Sequence, residues 1–257
     1  MHNLLSSKTI LVAGAGGLLG GVVVKDAMKQ GAQVIAADIN LDGMKNRLDS
    51  LGVNIESSQL KFRSLDITDE SSVKSLFEEL HTVLHGAVNA TYPRNKTYGS
   101  HFFDVTLNSF NENLALHLGS AFLFTQQCAA YFKRVDTEFS LVNISSIYGV
   151  IAPKFEVYEN TAMTMPVEYA AIKSALLHLN KYVTAYVCDS RFRINSVSPG
   201  GILDSQPEPF LKKYKENTHG VGMLDVNDMI GSILFLLSDG AQFVTGQNII
   251  VDDGFSL

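Results

Sequence analysis

Short apolar runs alternate along the chain with longer stretches in which apolar residues recur every three or four positions. The runs at 8–13, 33–37, 60–65, 83–89, 139–144, 192–197 and 248–251 have the length and β-branched content of strands. The stretches at 18–30, 41–51, 69–81, 106–133, 166–187 and 225–237 have helical period. Gly31 stops the first helix, and Pro166 occupies the permitted first turn of the fifth. Near-continuous apolar strands separated by helices predict an α/β fold, a doubly wound and mostly parallel sheet of about seven strands with helices on both faces. Two stretches, 91–100 and 152–165, carry neither pattern. Both follow strands on the side of the sheet where such folds bind ligands.

Composition narrows the class. Hydrophobic residues make up 46% of the chain and charged residues 18%, as in a globular protein with a large core. A formal net charge of −6 offers no basic surface, so nucleic acid is not an expected partner. Cys128 and Cys188 lie in apolar helical runs and are expected as buried, reduced thiols. No C-x-x-C or other metal spacing occurs, so no metal is expected. The opening MHNLLSSKTILVAGAGG has no basic segment followed by a long apolar one. Neither a signal peptide nor a membrane span is therefore expected, and a cytoplasmic location is inferred.

The first strand runs into Gly14-Ala15-Gly16-Gly17-Leu18-Leu19-Gly20 and then a helix. Glycine is needed where backbone approaches a pyrophosphate, and the helix N-terminus offers N–H groups and partial positive charge to phosphates. After a first strand, this arrangement predicts dinucleotide binding in a Rossmann fold, with Gly14, Gly17, Leu18 and Leu19 in the cradle. Asp38 ends the second strand, where a carboxylate accepts from the ribose hydroxyls and repels a 2′-phosphate. No Lys or Arg follows until Lys45, so NAD is favoured over NADP. Asp66 follows the third strand; it either bonds the adenine with Ile67 beside it or caps the next helix, a role open equally to Thr68 or Asp69.

Tyr169 and Lys173 stand four apart in PVEYAAIKSALLHL and so share a helix face. A tyrosine near its free pKa of about 10 is a poor acid–base group at neutral pH, but a cation one turn away favours its phenolate. Upstream, NISSIYG puts Ser145 and Ser146 at the end of a strand, where a serine hydroxyl can hold a carbonyl or alcohol oxygen.

Together these residues resemble the short-chain dehydrogenase/reductase family over essentially the whole chain. The resemblance rests on the glycine loop, Asp38, Asp66, VNA at 88–90, NISS at 143–146, YAAIK at 169–173, SPGG at 198–201 and TGQNIIVDDG at 245–254. It implies one Rossmann-type domain over 1–257, with Tyr169 as acid–base, Lys173 as helper and Ser146 orienting substrate. It further implies that Asn89 and Ala90, and Pro199, Gly200 and Ile202, lie along the cofactor, and that Tyr169 and Lys173 also touch it. Two apolar helices, around FLFTQQCAAYF and YAAIKSALLHLNKYV, predict a homo-oligomer, tetramer or dimer.

Three departures from the family pattern matter. Leu18 stands where glycine is usual. In the long central helix His117 takes the place of the asparagine that supports a proton relay; it either carries the relay or fills space in the core. Finally, Ser146 and Tyr169 stand much further apart than the family norm, with APKFEVYENTAMTMP between them. That segment is either a lid or a surface excursion; as a lid it offers Glu156, Tyr158, Glu159 and Asn160 as substrate contacts. With MPVEYAAIK and SPGGILDSQPEPFLKKY it resembles the flagellin-modification members of the family. The resemblance implies an NAD-dependent oxidoreductase acting on a hydroxyl or ketone of a small, polar, sugar-like molecule. Reduction of 3-oxoacyl groups on a carrier protein, and a dinucleotide sensor with little turnover, stand as alternatives.

Overall fold

The computed structural model describes residues 3–257. Its strands are β1 (Thr9–Ala13), β2 (Gln33–Asp38), β3 (Leu60–Ser64), β4 (Gly86–Asn89), β5 (Phe139–Ile144), β6 (Phe192–Pro199) and β7 (Asn248–Val251). They form one seven-stranded sheet in the order β3-β2-β1-β4-β5-β6-β7, with every pairing parallel. Chain order reverses between β1 and β4, which opens a crevice at their carboxyl ends.

The strand sequences explain the layering. Every residue of β1 is buried, because both faces of the sheet are covered. Ile10 and Val12 pack with α1 (Leu18–Lys29) and α8 (Ile230–Leu237). Leu11 and Ala13 point the other way, toward α3 (Glu70–Glu78) and α5 (Ser120–Val135). The sheet is therefore a shared wall between two apolar cores. On the first face α2 (Leu41–Ser50) joins α1, and on the second α6 (Val167–Val187) packs beside α5.

Three differences from the sequence reading have physical causes. The helix expected over 106–133 is α4 (Leu107–Asn113), a π-helical turn at Leu114–Gly119, and then α5. The widened turn lies where the polar Asn113, His117 and Ser120 point inward, and it re-aims His117. A further helix, α7 (Glu208–Glu216), follows Pro207 and seats Phe210 and Tyr214, one turn apart, in a satellite core. Cys188, expected buried, is exposed, because it takes the left-handed turn that ends α6 at φ 50°. Cys128 is buried, and both thiols are free.

Candidate active site

The glycine loop shapes the nucleotide end. Gly14 has φ +80°, and a Cβ there would come within 2.9 Å of the Ala90 carbonyl. A Cβ at Gly20 would collide with the Gly14 carbonyl oxygen, so α1 could not pack so close to the loop. Gly17 starts α1 without a side-chain cap, and the first-turn amides of Leu18 and Leu19 have no intrahelical acceptor. They open on a crevice of about 960 Å³ whose walls include Gly14, Gly17, Asp38, Asp66, Ile67 and Ala90.

The Asp38 carboxylate is fixed from both sides. Its Oδ2 accepts from the Gly16 amide at 2.9 Å and its Oδ1 from the Asn40 amide at 3.1 Å. Lone pairs remain on both oxygens for ribose hydroxyls. Lys45 lies over the Phe62 ring, 5.3 Å from its centroid. Asp66 is not the cap of α3; Asp69 is, accepting from the Ser72 amide at 3.0 Å. Asp66 instead spends Oδ1 on the Thr68 amide and hydroxyl, at 2.9 and 2.6 Å. Asn89 is buried, and its Oδ1 accepts from the Thr91 amide and hydroxyl, which turns the chain after β4. Uncapped helix N-terminus, close backbone approach and fixed carboxylate together fit a dinucleotide.

A second cavity, of about 420 Å³, continues from this crevice past the end of β5. Ser146, Tyr169, Lys173, Pro199, Gly200 and Ile202 all line it. Burial pushes the Tyr169 phenol above its ordinary pKa, while a hydrogen bond from Ser146 acts in the opposite sense. Burial also brings Lys173 down to about 7. Lys173 Nζ donates to the Ile144 carbonyl at 2.8 Å and lies 3.4 Å from His117 Nε2. His117 is pushed down to about 2, first by burial and then by the Lys173 charge. It is therefore a neutral imidazole whose Nε2 faces Lys173 Nζ. Its Nδ1 is buried and has no partner among the described residues.

The segment at 91–100 closes this cluster from above. The Tyr92 ring meets His117 edge-on at 5.3 Å and Tyr169 edge-on at 5.7 Å, and its hydroxyl donates to Tyr98 at 2.6 Å. Arg94 stacks over the Tyr92 ring at 4.8 Å. Asn95 holds the segment down: its amide donates to Asn113 Oδ1 at 3.0 Å, and Asn113 Nδ2 reaches the fully buried Glu168 at 3.3 Å.

The inserted segment divides its residues between two sides. A 3-10 turn at Phe155–Tyr158 sends Val157 and Tyr158 inward. Tyr158 lines the cavity and donates to the Tyr148 hydroxyl at 3.2 Å. Glu156 and Glu159 point out: Lys213 of α7 donates to both carbonyls, at 3.1 and 3.2 Å, and pairs with the Glu159 carboxylate at 3.1 Å. Asn160 turns the chain at φ 63°. Glu156, Glu159 and Asn160 are absent from the cavity wall, which takes Met163, Thr164 and Met165 from the same segment. Sequence reasoning did not single out Tyr92, Tyr148, Phe210, Tyr214 or Met223, all brought to these walls. For Tyr148, two positions past Ser146, the nearness was readable; for Phe210, Tyr214 and Met223 it depends on how the chain after β6 folds back.

Residues 14–256 match the family model described as enoyl-(acyl carrier protein) reductase. The chain is 38% identical to the post-translational flagellin modification protein A of Campylobacter coli, over 99% of this chain and the whole of that one. It is 28% identical to a 2,5-dichloro-2,5-cyclohexadiene-1,4-diol dehydrogenase of Sphingobium indicum, with 98% of each chain covered. The crystal structure of a short chain dehydrogenase from Leptospira borgpetersenii with bound NAD+ superposes with a TM-score of 0.87 at 27% identity. That match covers 99% of this chain and 95% of the other.

Proposed function

Since the chain belongs to the short-chain dehydrogenase/reductase family, we propose that it is an NAD(H)-dependent oxidoreductase that interconverts a hydroxyl and a ketone on a sugar or sugar-derived molecule. One observation carries this reading: Ser146, Tyr169 and Lys173 line one cavity that opens onto the glycine cradle. A bound nicotinamide would supply the hydride acceptor or donor, so that an alcohol and NAD+ would become a ketone, NADH and a proton.

The chain's own residues handle the oxygen and its proton. Ser146 Oγ, held by the Tyr148 amide at 3.2 Å, orients the substrate oxygen. Tyr169 takes the hydroxyl proton during oxidation and returns it during reduction. Burial disfavours the charged forms of Tyr169 and Lys173 separately, but a phenolate and an ammonium formed together offset each other. His117 stands next to Lys173, with Nε2 3.4 Å from Lys173 Nζ, in place to exchange a proton with it.

Asp38 favours NAD over NADP, because a 2′-phosphate would meet a carboxylate held by two backbone amides. The sugar reading leans on the likeness to the Campylobacter protein and is a place in surface or flagellin glycan synthesis. The polar inserted segment supports it less than its sequence suggests, since its Glu159 carboxylate pairs with Lys213 of α7 and Glu156 stays off the cavity wall. Residues 1–257 are read as one domain acting as a homo-oligomer, and two free thiols suit a cytoplasmic setting. None of the helices among the described residues is long and apolar enough to cross a membrane. Incubation with NAD+ and a panel of free and activated sugars, followed by NADH absorbance, tests the reading. Turnover of a sugar is expected; no sugar turned over, with NADH consumed on 3-oxoacyl thioesters in a parallel assay, would replace it.

A further inference from the structure

The inner wall of the catalytic cavity holds a second pair of oxygens that the hydride-transfer chemistry does not use. Tyr148 and Tyr158 are each 7% exposed, and both line the cavity that Ser146 and Tyr169 line. Tyr158 donates its hydroxyl proton to the Tyr148 oxygen at 3.2 Å. A phenol carries a single proton, so the Tyr148 hydroxyl still has its own to give. It has no acceptor among the described residues, although a buried donor without one is costly. Burial holds both phenols protonated, with Tyr158 up at about 12 and Tyr148 also raised. Through its amide, Tyr148 is also tied to Ser146, the residue that orients the reacting oxygen.

The remaining wall is set for a ring. Met163, Met165, Phe210, Tyr214 and Met223 give broad apolar surfaces. Tyr214 stacks on Phe255 at 4.3 Å and binds the Gly201 amide through its hydroxyl at 2.6 Å, so it is a rigid wall. Among the described residues, the one cation lining the cavity is Lys173, already engaged by Ile144 and His117. Any anionic group on the substrate must therefore stay at the mouth.

Building on the oxidoreductase reading, we propose that the Tyr148–Tyr158 pair is a second oxygen subsite and that the part of the substrate inside the cavity is an uncharged ring bearing two oxygens. One oxygen reacts at Ser146 and Tyr169. The other accepts the proton of Tyr148, with Tyr158 fixing that proton's direction. A ring with a single oxygen leaves Tyr148 unpaired and is bound less well.

Ligand-observed NMR titration of the full chain, with and without NADH, compares cyclohexanol with the cyclohexane-1,2-, 1,3- and 1,4-diols. At least one diol is expected to bind about ten-fold or more tightly than cyclohexanol. Tyr148→Phe and Tyr158→Phe, each checked for native circular dichroism, should bring that ratio to within about two-fold. Equal affinity for all four compounds, binding of none, or a ratio that survives Tyr148→Phe overturns the subsite. Diol preference without any NAD-linked turnover would instead overturn the oxidoreductase reading alone.

Discussion

The Lys173 ammonium nitrogen donates to the carbonyl oxygen of Ile144 at 2.8 Å, so the side chain that assists Tyr169 is anchored on the last residue of β5. Ser146 stands two residues further on, and the Ser145 hydroxyl returns the link by donating to the Lys173 carbonyl at 2.9 Å. Strand end and helix are thus laced in both directions, and the distance between serine and tyrosine is set by backbone rather than by flexible loops.

Burial of Lys173 has a consequence for stability. In the folded protein it keeps its proton only below about 7, whereas the unfolded chain keeps it up to the free value of 10.5. Between these values unfolding takes up a proton, so this residue makes stability rise with pH. Below about 7 both states hold the proton and its burial is a constant penalty. Urea denaturation of wild type and Lys173→Met from pH 6 to 10 is expected to show wild type gaining on the variant as pH rises. Parallel curves would mean the ammonium is well solvated.

Asp38→Ala should weaken NADH binding by about ten-fold, since hydrogen bonds to a charged group are worth about 1.5–3 kcal/mol. NADPH binding should weaken less or improve, because the repelling carboxylate is gone. Fluorescence titration with both cofactors reads this. A wild-type protein that binds them equally would remove the ribose role of Asp38.

Seven strands, their parallel sheet and the glycine loop were legible because each apolar run is bounded by turns and separated from the next by a stretch of helical period. The break at Leu114–Gly119 was not legible, since apolar residues continue through it and only the inward turn of Asn113 and His117 betrays it. The cavity wall was half legible. Ser146, Tyr169 and Lys173 come from local motifs, but Tyr92 sits on the loop at 91–100 and Tyr214 on α7, and no periodicity encodes how either folds back over the site. Glu156 and Glu159 looked like substrate contacts from position alone; Lys213, remote in sequence, holds the Glu159 carboxylate and the Glu156 carbonyl instead.

That clamp can be tested separately. Lys213→Ala removes an ion pair with an exposed carboxylate and should change stability by less than about 1 kcal/mol. It also frees the turn that presents Tyr158, so KM for the natural substrate should rise several-fold while NADH affinity holds. An unchanged KM would mean the segment keeps its course without α7.

Phe122 of α5 and Tyr182 and Tyr186 of α6 are 49%, 61% and 72% exposed. Aromatic surface of this size on neighbouring helices is expected to be covered by another copy of the chain. Light scattering should show a dimer or tetramer, and Tyr182→Asp with Tyr186→Asp should lower the mass. A wild-type monomer at micromolar concentration would contradict this.

The acid–base role of Tyr169 is reached most directly by Tyr169→Phe, which removes one oxygen and keeps the ring against Tyr92. Steady-state NADH formation from the sugar or ring alcohol that wild type oxidises fastest should fall by about 10²–10⁴-fold. NADH affinity, measured on the same sample by fluorescence, should stay within a few-fold of wild type. A Tyr169→Phe protein that oxidises that alcohol at near the wild-type rate would contradict the assignment of Tyr169 and, with it, the hydride-transfer site built around it.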